Sequence, residues 1–291
     1  MSNQFYASGQ TACSGCGQSL AVRLVMEASG KNTIVANNTG CLEVFSTKYP
    51  ESSFEVPFVH SLFENCAAVA SGVEAGLKFL GIKDKINVIA EGGDGGTADI
   101  GLQALSGMLE RGHDILYVCY DNEAYMNTGI QRSGLTPFQA FTTTSPRGKL
   151  YSGNMRPKKP MPEICNAHGI PYVATASVAF PLDIQKKVKK AHSIKGPKYI
   201  QIHVPCPLGW AHAPGLTPEV AKLAVDTGLY PLIEYENGQL AAVRKIQPKP
   251  VEEYLKVQGR FKHLLNDPEA IKAIQEIADN NIKKYGLKLE G

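Results

Sequence analysis

Short apolar runs alternate along this chain with stretches in which apolar residues recur at helical spacing. Five runs rich in apolar and β-branched residues predict strands at 33–36, 86–90, 115–120, 172–175 and 199–204. The longer stretches between them predict helices at 66–80, 100–110 and 182–192. Strands that alternate with helices are typical of a parallel sheet covered by crossover helices. The pattern therefore predicts an α/β fold with a doubly wound, mostly parallel sheet.

This alternation gives way to a different pattern near residue 247. Pro248 and Pro250 interrupt the chain, and the residues after them are charged and helical in pattern. We therefore predict one large domain over 1–247, followed by a C-terminal helical arm over 248–291. Before that boundary, residues 127–162 are rich in Gly, Thr, Ser and Pro, which predicts a long ordered loop.

Composition narrows the classes of protein that this chain can represent. The formal net charge of +3 is small and spread along 291 residues, so we expect no nucleic-acid partner. No signal-peptide pattern and no run of about 18 apolar residues occurs, so we expect a cytoplasmic location without membrane association. Seven cysteines, an odd number, argue against a disulfide framework and favour metal ligands or buried thiols.

Polar and glycine-rich segments follow the predicted strands. Ligands of open α/β sheets bind outside the carboxyl ends of the strands, so these segments are the candidates for a site. They are Asn37-Asn38-Thr39-Gly40-Cys41, Gly92-Gly93-Asp94-Gly95-Gly96, Asp121-Asn122-Glu123-Ala124 and Pro205-Cys206-Pro207. We therefore expect an acidic glycine loop, an acid–amide loop and two cysteines to share one edge of the sheet.

The glycine segment allows two interpretations. Residues 93–98 fit a degenerate dinucleotide pattern, which would indicate a nucleotide-dependent dehydrogenase. Asp94, however, would repel a bare pyrophosphate unless a cation lay between them. Mg²⁺ prefers oxygen ligands together with phosphates, and the Asn122 amide oxygen and the Ala124 carbonyl could complete such a site. The segment therefore favours a magnesium-bound diphosphate.

Four cysteines form a second candidate site. Cys13 and Cys16 have the C-x-x-C spacing that lets two thiolates bind one metal centre, and Cys41 and Cys206 follow predicted strands. Zinc and an iron–sulfur cluster both remain open for such a set. The other three cysteines lie in or beside apolar patterns and are expected to be inert buried thiols: Cys66, Cys119 and Cys165.

These motifs together resemble those of a known family. Gly93-Asp94-Gly95 followed after 26 residues by Asn122 resembles the thiamine-diphosphate signature. The stretch from Asp121 to Gly129 is similar to the one around the metal ligand in pyruvate:ferredoxin oxidoreductases. The sequences Ala-Cys-Ser-Gly-Cys-Gly, Gly-Cys and Pro-Cys-Pro occur in the order of that family's cluster ligands. The chain thus resembles the beta, thiamine-diphosphate-binding subunit of the 2-oxoacid:ferredoxin oxidoreductases.

The resemblance implies a function and a set of site residues. It implies oxidative decarboxylation of a 2-oxoacid, by default pyruvate, on thiamine diphosphate, with electrons passing singly to one [4Fe-4S] cluster. Its implied cluster ligands are Cys13, Cys16, Cys41 and Cys206, and its implied Mg²⁺ ligands are Asp94, Asn122 and Ala124. The implied catalytic residues are Asn127, toward the substrate, and Cys41, between the two cofactors. The implied cofactor contacts are Gln18, Cys41, Gly93, Asp94, Gly95, Gly96, Asn122, Ala124, Tyr125, Met126, Asn127 and Thr128.

The resemblance also implies partners. The glutamate that activates thiamine comes from a separate domain in this family, and the dense cysteine run that binds further clusters is not found in this sequence. Partner subunits would bring both, and ferredoxin, the 2-oxoacid and usually coenzyme A would complete the reaction. Two alternatives stay open at this point: a zinc-stabilised, non-catalytic interaction subunit and a nucleotide-dependent dehydrogenase.

Overall fold

The computed structural model describes residues 5–48, 50–148 and 152–289, and a single sheet lies at its centre. The strands are β1 (Thr33–Asn37), β2 (Phe58–His60), β3 (Asn87–Gly93), β4 (Leu116–Asp121), β5 (Tyr172–Ser177), β6 (Lys198–His203), β7 (Ile233–Glu236) and β8 (Gln239–Val243). Their order across the sheet is β2-β1-β3-β4-β6-β5-β7-β8. β1 to β6 pair in parallel, and β7 and β8 add an antiparallel hairpin at one edge. The predicted fold class is confirmed.

Helices cover both faces of this sheet. They are α1 (Gly17–Ser29), α2 (Cys41–Ser46), α3 (Cys66–Phe79), α4 (Asp94–Ala98), α5 (Leu102–Glu110), α6 (Met161–Asn166), α7 (Pro181–Ser193), α8 (Pro207–Trp210), α9 (Thr217–Asp226), α10 (Glu252–Leu255) and α11 (Pro268–Tyr285). Short 3-10 turns occur at Lys83–Lys85, Pro214–Leu216 and Gly259–Leu264. Among the helices that the structure describes, none is both long and apolar enough to cross a membrane.

The central strand β4 shows how the two layers form. Successive side chains of a strand point to opposite faces of the sheet. Leu116, Val118 and Tyr120 pack into the core beneath α1 and α7, whereas Tyr117 and Cys119 pack into the core beneath α3 and α5. A strand covered on both faces is apolar throughout, which is why these runs could be recognised in the sequence.

Three strands and several helices lie outside the predicted segments. β2 has only three residues and is largely exposed, and β7 and β8 carry polar or exposed residues at the edge. Strands of this kind lack the continuous apolar run that marks a buried one. Helix α1 was missed although its buried face is long, and it packs under the sheet in contact with α7.

Two predicted segments have different boundaries in the structure. The expected glycine loop is not a loop, because β3 continues through Gly93 and α4 begins at Asp94. The expected loop over 127–162 ends earlier, because α6 begins at Met161. Part of that segment, residues 149–151, lies outside the described residues. In the first case the strand therefore passes directly into a helix at the carboxyl edge of the sheet.

A third cluster of buried residues joins the end of the chain to the sheet domain. Val251, Leu255, Phe261 and Ile274 pack with Trp210 and with residues of α9. Residues after 248 thus lie against the domain as short helical segments and α11. The division into a domain over 1–247 and an arm over 248–291 stays a prediction.

Glu91 of β3 generates a prediction about stability. Its side chain is fully buried, the Tyr120 hydroxyl donates to its Oε1 at 2.7 Å, and burial raises the pKa of its carboxyl from 4.5 to about 7. The unfolded chain therefore ionises Glu91 at a lower pH than the folded chain does. As the pH rises from about 4.5 to about 7, this group progressively lowers the free energy of unfolding.

We therefore expect Glu91→Gln to be more stable than the wild type at pH 7.5, by roughly 1 to 3 kcal/mol. At pH 5 the gain should be much smaller, since the folded wild type then keeps a neutral carboxyl. Denaturant unfolding at the two pH values measures both differences. Equal differences at both pH values would show that the carboxyl is ionised when buried.

Candidate cofactor site

Every residue predicted to contact the cofactor lines one narrow cleft at the carboxyl ends of β1, β3 and β4. The lining residues are Gln18, Thr39, Gly40, Cys41, Phe63, Gly93, Asp94, Gly95, Gly96, Asn122, Ala124, Tyr125, Met126, Asn127 and Thr128. Three of these were not predicted as contacts: Thr39, Gly40 and Phe63. Asn127 and Thr128 are exposed at the mouth of the cleft, whereas Gln18 is buried within it. The structure thus brings the predicted residues together.

The side chains of Asp94 and Asn122 meet the Ala124 carbonyl in this cleft. One outer atom of the Asn122 amide lies 3.0 Å from Asp94 Oδ1 and 2.7 Å from the Ala124 carbonyl oxygen. With the amide oxygen in that position, three acceptors face one another, and with the amide turned, its NH₂ group would donate to both. Adjacent oxygens of a Mg²⁺ octahedron are about 2.9 Å apart, given Mg–O distances near 2.05 Å. With the amide oxygen in that position, both distances fit neighbouring ligands of one Mg²⁺.

Asp94 is the ionisable member of this trio. It is 1% exposed, and Ser133 donates a hydrogen bond to its other carboxylate oxygen. Burial, and then the neighbouring Asp121 carboxylate, raise the pKa of Asp94 well above its usual value. A cation at the three oxygens would offset the cost of keeping this carboxylate ionised.

The trio does not belong to the class of site built only from ionisable ligands. Within 5–48, 50–148 and 152–289, no group of three or more His, Cys, Asp or Glu side chains could hold a metal ion. Two of the three convergent oxygens come from an amide and a carbonyl, ligand types that suit Mg²⁺.

The glycines of the cleft allow close packing of its wall. A Cβ atom on Gly95 would lie 2.3 Å from the Tyr125 ring, and one on Gly96 would lie 2.8 Å from Asn38 Nδ2. Gly93, by contrast, faces open space, with no atom within 4 Å of a Cβ there. The Tyr125 hydroxyl donates to Asp99 Oδ2 at 3.2 Å and so holds its ring over α4. Side chains at 95 and 96 would disturb this wall.

The cysteine pair at 13 and 16 lies against the turn that carries Cys206. A Cβ on Gly17 would be 2.9 Å from the Pro205 carbonyl oxygen, and one on Gly15 would be 2.3 Å from the Pro214 carbonyl oxygen. The Gly17 N–H donates to Pro205 O at 3.2 Å. Only residues without a side chain permit so close an approach. The glycines beside the C-x-x-C pair therefore bring it to the turn after β6.

The four cysteine thiols lie within electrostatic range of one another. Burial, followed by neighbouring groups that include the other thiols, raises the pKa of Cys16 to about 11 and that of Cys41 to about 12. Burial also raises the pKa of Cys206, with Cys13 adding to the effect. Cys41 additionally lines the cleft and senses the charge of Asp94. The four thiols are therefore near enough to interact electrostatically, but within the described residues they are not gathered closely enough to hold one metal ion.

The remaining cysteines lie apart from both groups. Cys66, Cys119 and Cys165 are each no more than 1% exposed. Cys66 Sγ lies 3.6 Å from the Tyr117 hydroxyl, inside the core beneath α3. The expectation of buried thiols is confirmed.

Charged residues that were not predicted lie behind the trio. Asp121 and Glu123 flank Asn122 in the chain, and Lys158 Nζ lies 2.7 Å from Asp121 Oδ2 and 2.6 Å from Glu123 Oε1. Arg260 Nη2 lies 2.6 Å from Glu123 Oε2. Burial opposes ionisation of Glu123, but Lys158 and then Arg260 outweigh it and hold its pKa at about 2. No local sequence signal marks Lys158 or Arg260, because each is remote from Glu123 along the chain.

A cavity of about 260 Å³ lies beside these charges and is distinct from the cleft. Its lining is mainly apolar, and Glu123, Lys158 and the buried His203 contribute polar groups. Burial lowers the pKa of His203 to about 3, so its ring is neutral. The cavity shares none of the residues that line the cleft.

Comparison with known proteins places these observations in a family. Residues 38–202 match the thiamine pyrophosphate enzyme family, C-terminal TPP binding domain. The chain is 58% identical over 288 residues to pyruvate synthase subunit PorB of Methanosarcina barkeri, covering 98% of this chain and 97% of that protein. It is 51% identical over 269 residues to ketoisovalerate oxidoreductase subunit VorB of Pyrococcus abyssi, covering 90% and 86%. The chain belongs to the 2-oxoacid:ferredoxin oxidoreductase family.

A solved structure supports the fold of this family member. The 2-oxoglutarate:ferredoxin oxidoreductase from Magnetococcus marinus, with 2-oxoglutarate, coenzyme A and succinyl-CoA bound, has a TM-score of 0.59 and 22% identity. The match covers 75% of this chain and 79% of that one. Membership in a thiamine pyrophosphate family favours the diphosphate interpretation of residues 93–98 over the dinucleotide one.

The packing of Gly95 against Tyr125 generates a prediction. We expect Gly95→Ala to lower the free energy of unfolding by about 1 to 3 kcal/mol, because the new methyl group collides with a ring held on both sides. Gly93→Ala is the matched control, since Gly93 has φ −71° and open space around its Cα. It should stay within about 0.5 kcal/mol of the wild type. Equal losses in the two variants, measured by denaturant unfolding, would contradict this packing.

Proposed function

We propose that this chain binds Mg²⁺ and thiamine diphosphate in the cleft and one [4Fe-4S] cluster beside it. In this proposal it is the thiamine-binding subunit of an enzyme that oxidatively decarboxylates a 2-oxoacid. The observation that carries the proposal is that one outer atom of the Asn122 amide lies 3.0 Å from Asp94 Oδ1 and 2.7 Å from the Ala124 carbonyl oxygen, in a cleft lined by the closely packed Gly95 and Gly96.

Each part of the cleft has a role in this proposal. The three oxygens hold Mg²⁺, and backbone N–H groups near Gly95 and Gly96 receive the diphosphate. Thiamine diphosphate held there would supply the nucleophilic carbon needed for decarboxylation of a 2-oxoacid. Asn127, at the exposed mouth of the cleft, orients the substrate carboxylate.

The cysteines support a cluster next to the thiamine site. Cys13, Cys16, Cys41 and Cys206 come from three separate segments of the chain, and the neighbouring thiols contribute to the raised pKa values of Cys16, Cys41 and Cys206. Iron would offset that repulsion, and a cube of four irons holds its ligand sulfurs farther apart than one ion does. Cys41 belongs to both groups, because it lines the cleft as well. It would therefore place the cluster close enough to accept electrons singly. A single zinc on the same cysteines is the competing outcome.

Partner subunits complete this proposal. The similar proteins are named as subunits of pyruvate synthase and ketoisovalerate oxidoreductase. We infer that this chain also assembles with subunits that supply the thiamine-activating glutamate and further clusters, and that ferredoxin and coenzyme A take part. Pyruvate is the first substrate to test, since the similarity to the pyruvate synthase subunit reaches 58%. A cytoplasmic location stays a prediction.

Asp94→Asn tests the magnesium site. The substitution keeps the shape of the side chain but removes the charge, so Mg²⁺-dependent affinity for thiamine diphosphate should fall by roughly 100-fold or more. Stability without cofactor should not fall, because the variant no longer buries a carboxylate next to Asp121. Isothermal titration of the complex purified through this chain measures the affinity, and denaturant unfolding of the chain measures the stability.

Asp114→Asn is the control for this experiment. Asp114 accepts charged hydrogen bonds from Lys83 and Lys198 at the opposite end of the sheet. Its loss should lower stability and leave thiamine diphosphate affinity unchanged. Wild-type affinity in Asp94→Asn at limiting Mg²⁺ would refute the assignment of Asp94 as a metal ligand.

A further inference from the structure

Arg260 connects the two groups of cofactor residues. It lies in the Gly259–Leu264 turn, in the C-terminal part of the chain, and is only 4% exposed. One of its nitrogens pairs with Glu123 at 2.6 Å, and its guanidinium carbon lies 3.6 Å above the Trp210 ring. Both neighbours are themselves bonded to a proposed ligand segment. The Arg260 guanidinium therefore contacts one residue beside the proposed magnesium ligands and one residue beside the Cys206 turn.

The first contact acts on the metal-binding segment. Glu123 lies between Asn122 and Ala124 and has φ +68°, a left-handed conformation that costs a non-glycine residue about 1 kcal/mol. Asn122 and Ala124 direct their oxygens toward the same point as long as Glu123 keeps this left-handed conformation. The side chain is held by Arg260 and Lys158, and its carbonyl accepts from Thr136 Oγ1 at 2.7 Å. The ion pairs therefore hold the backbone turn that brings Asn122 and Ala124 together.

The second contact acts on both segments through Trp210. The indole N–H donates to the Asn122 carbonyl oxygen at 2.8 Å, and the Trp210 backbone N–H donates to the Cys206 carbonyl oxygen at 2.9 Å. A guanidinium stacked on the ring fixes its plane and so the direction of the indole N–H. Next to Trp210, Gly209 N–H donates to Cys206 Sγ at 3.3 Å. The position of the Trp210 ring therefore affects the positions of Asn122, a proposed magnesium ligand, and Cys206, a proposed cluster ligand.

We infer that Arg260 is a positioning residue for both cofactors: its ion pair with Glu123 fixes the magnesium-binding turn, and its stacking on Trp210 fixes the Cys206 turn relative to it. This inference rests on the proposed function. It assigns to residues after 248 a part in the site, although they contribute no ligand. Lys cannot replace Arg fully here, because only the planar guanidinium can stack and pair at the same time.

Two substitutions separate the two contacts. Arg260→Met removes both, so thiamine diphosphate binding should require about tenfold more Mg²⁺ or more, as loss of a residue that supports metal ligands typically does. The electron paramagnetic resonance signal of the reduced cluster should shift as well. Arg260→Lys keeps a positive charge next to Glu123, so the Mg²⁺ concentration needed for thiamine diphosphate binding should return most of the way to the wild-type value. The signal of the reduced cluster should stay shifted. Trp210 is the only tryptophan in the chain, so its fluorescence reports the lost stacking directly in both variants.

Lys198→Met is the matched control. Lys198 is 3% exposed and pairs with Asp114 at 2.5 Å, at the amino end of β6. This variant also breaks a buried ion pair, and it should lower the melting temperature without changing Mg²⁺ dependence, cluster signal or tryptophan emission. Equal changes in Lys198→Met and Arg260→Met would overturn the inference, since general destabilisation would then explain them.

The remaining outcomes separate the inference from the proposed function. Wild-type protein that binds thiamine diphosphate and iron, together with an Arg260→Met variant that matches it in Mg²⁺ dependence and cluster signal, overturns the inference alone. Wild-type protein with neither cofactor overturns both. If Arg260→Met does not fold, Arg260→Lys decides, because wild-type emission and cluster signal in that variant would refute the stacking role.

Discussion

The arrangement of the site depends on keeping mutually repelling oxygens together in a place that excludes water. Asp94, the Asn122 amide and the Ala124 carbonyl meet at one point, and the Asp121 carboxylate lies close behind them. With the Asn122 amide oxygen facing the other two acceptors, positive charge on both sides of the segment would stabilise this cluster. Lys158 and Arg260 supply that charge behind the segment, and a bound cation would supply it in front. The arrangement therefore suits a divalent ion at this edge of the sheet, as the proposed function requires.

Successive side chains at the end of β4 point in opposite directions, and this separates the acidic side chains from the cleft. The carboxylates of Asp121 and Glu123 form ion pairs with Lys158, whereas Asn122, which lies between them in the chain, lines the cleft. Glycines at 15 and 17 let the C-x-x-C pair pack against the turn after β6. Glycines at 95 and 96 likewise let Tyr125 and Asn38 pack closely against α4. The residues that match the thiamine pyrophosphate family, 38–202, include Asp94, Asn122 and Ala124 and both glycines of the wall.

The parts of the site that could be predicted are those whose chemistry is local in sequence. Gly-Asp-Gly and Asn122 stand directly after apolar strands, so the topology of a parallel sheet was enough to bring them together. Arg260 could not be found in this way, because its partner Glu123 lies 137 residues away and the pairing depends on how the last turns pack. The junction at Gly93 was misjudged for a related reason. Glycines usually indicate a loop, yet here the strand continues through them and a helix follows at once.

Anomalous diffraction from crystals of the complex, grown without oxygen with thiamine diphosphate and Mn²⁺ in place of Mg²⁺, tests the central claim most directly. Data collected at the manganese and iron absorption edges locate the two metals separately. The account predicts a manganese peak among the Asp94, Asn122 and Ala124 oxygens, in contact with the diphosphate, and an iron cluster among Cys13, Cys16, Cys41 and Cys206. Zinc on the cysteines, or a diphosphate bound elsewhere with no metal at the three oxygens, would contradict it.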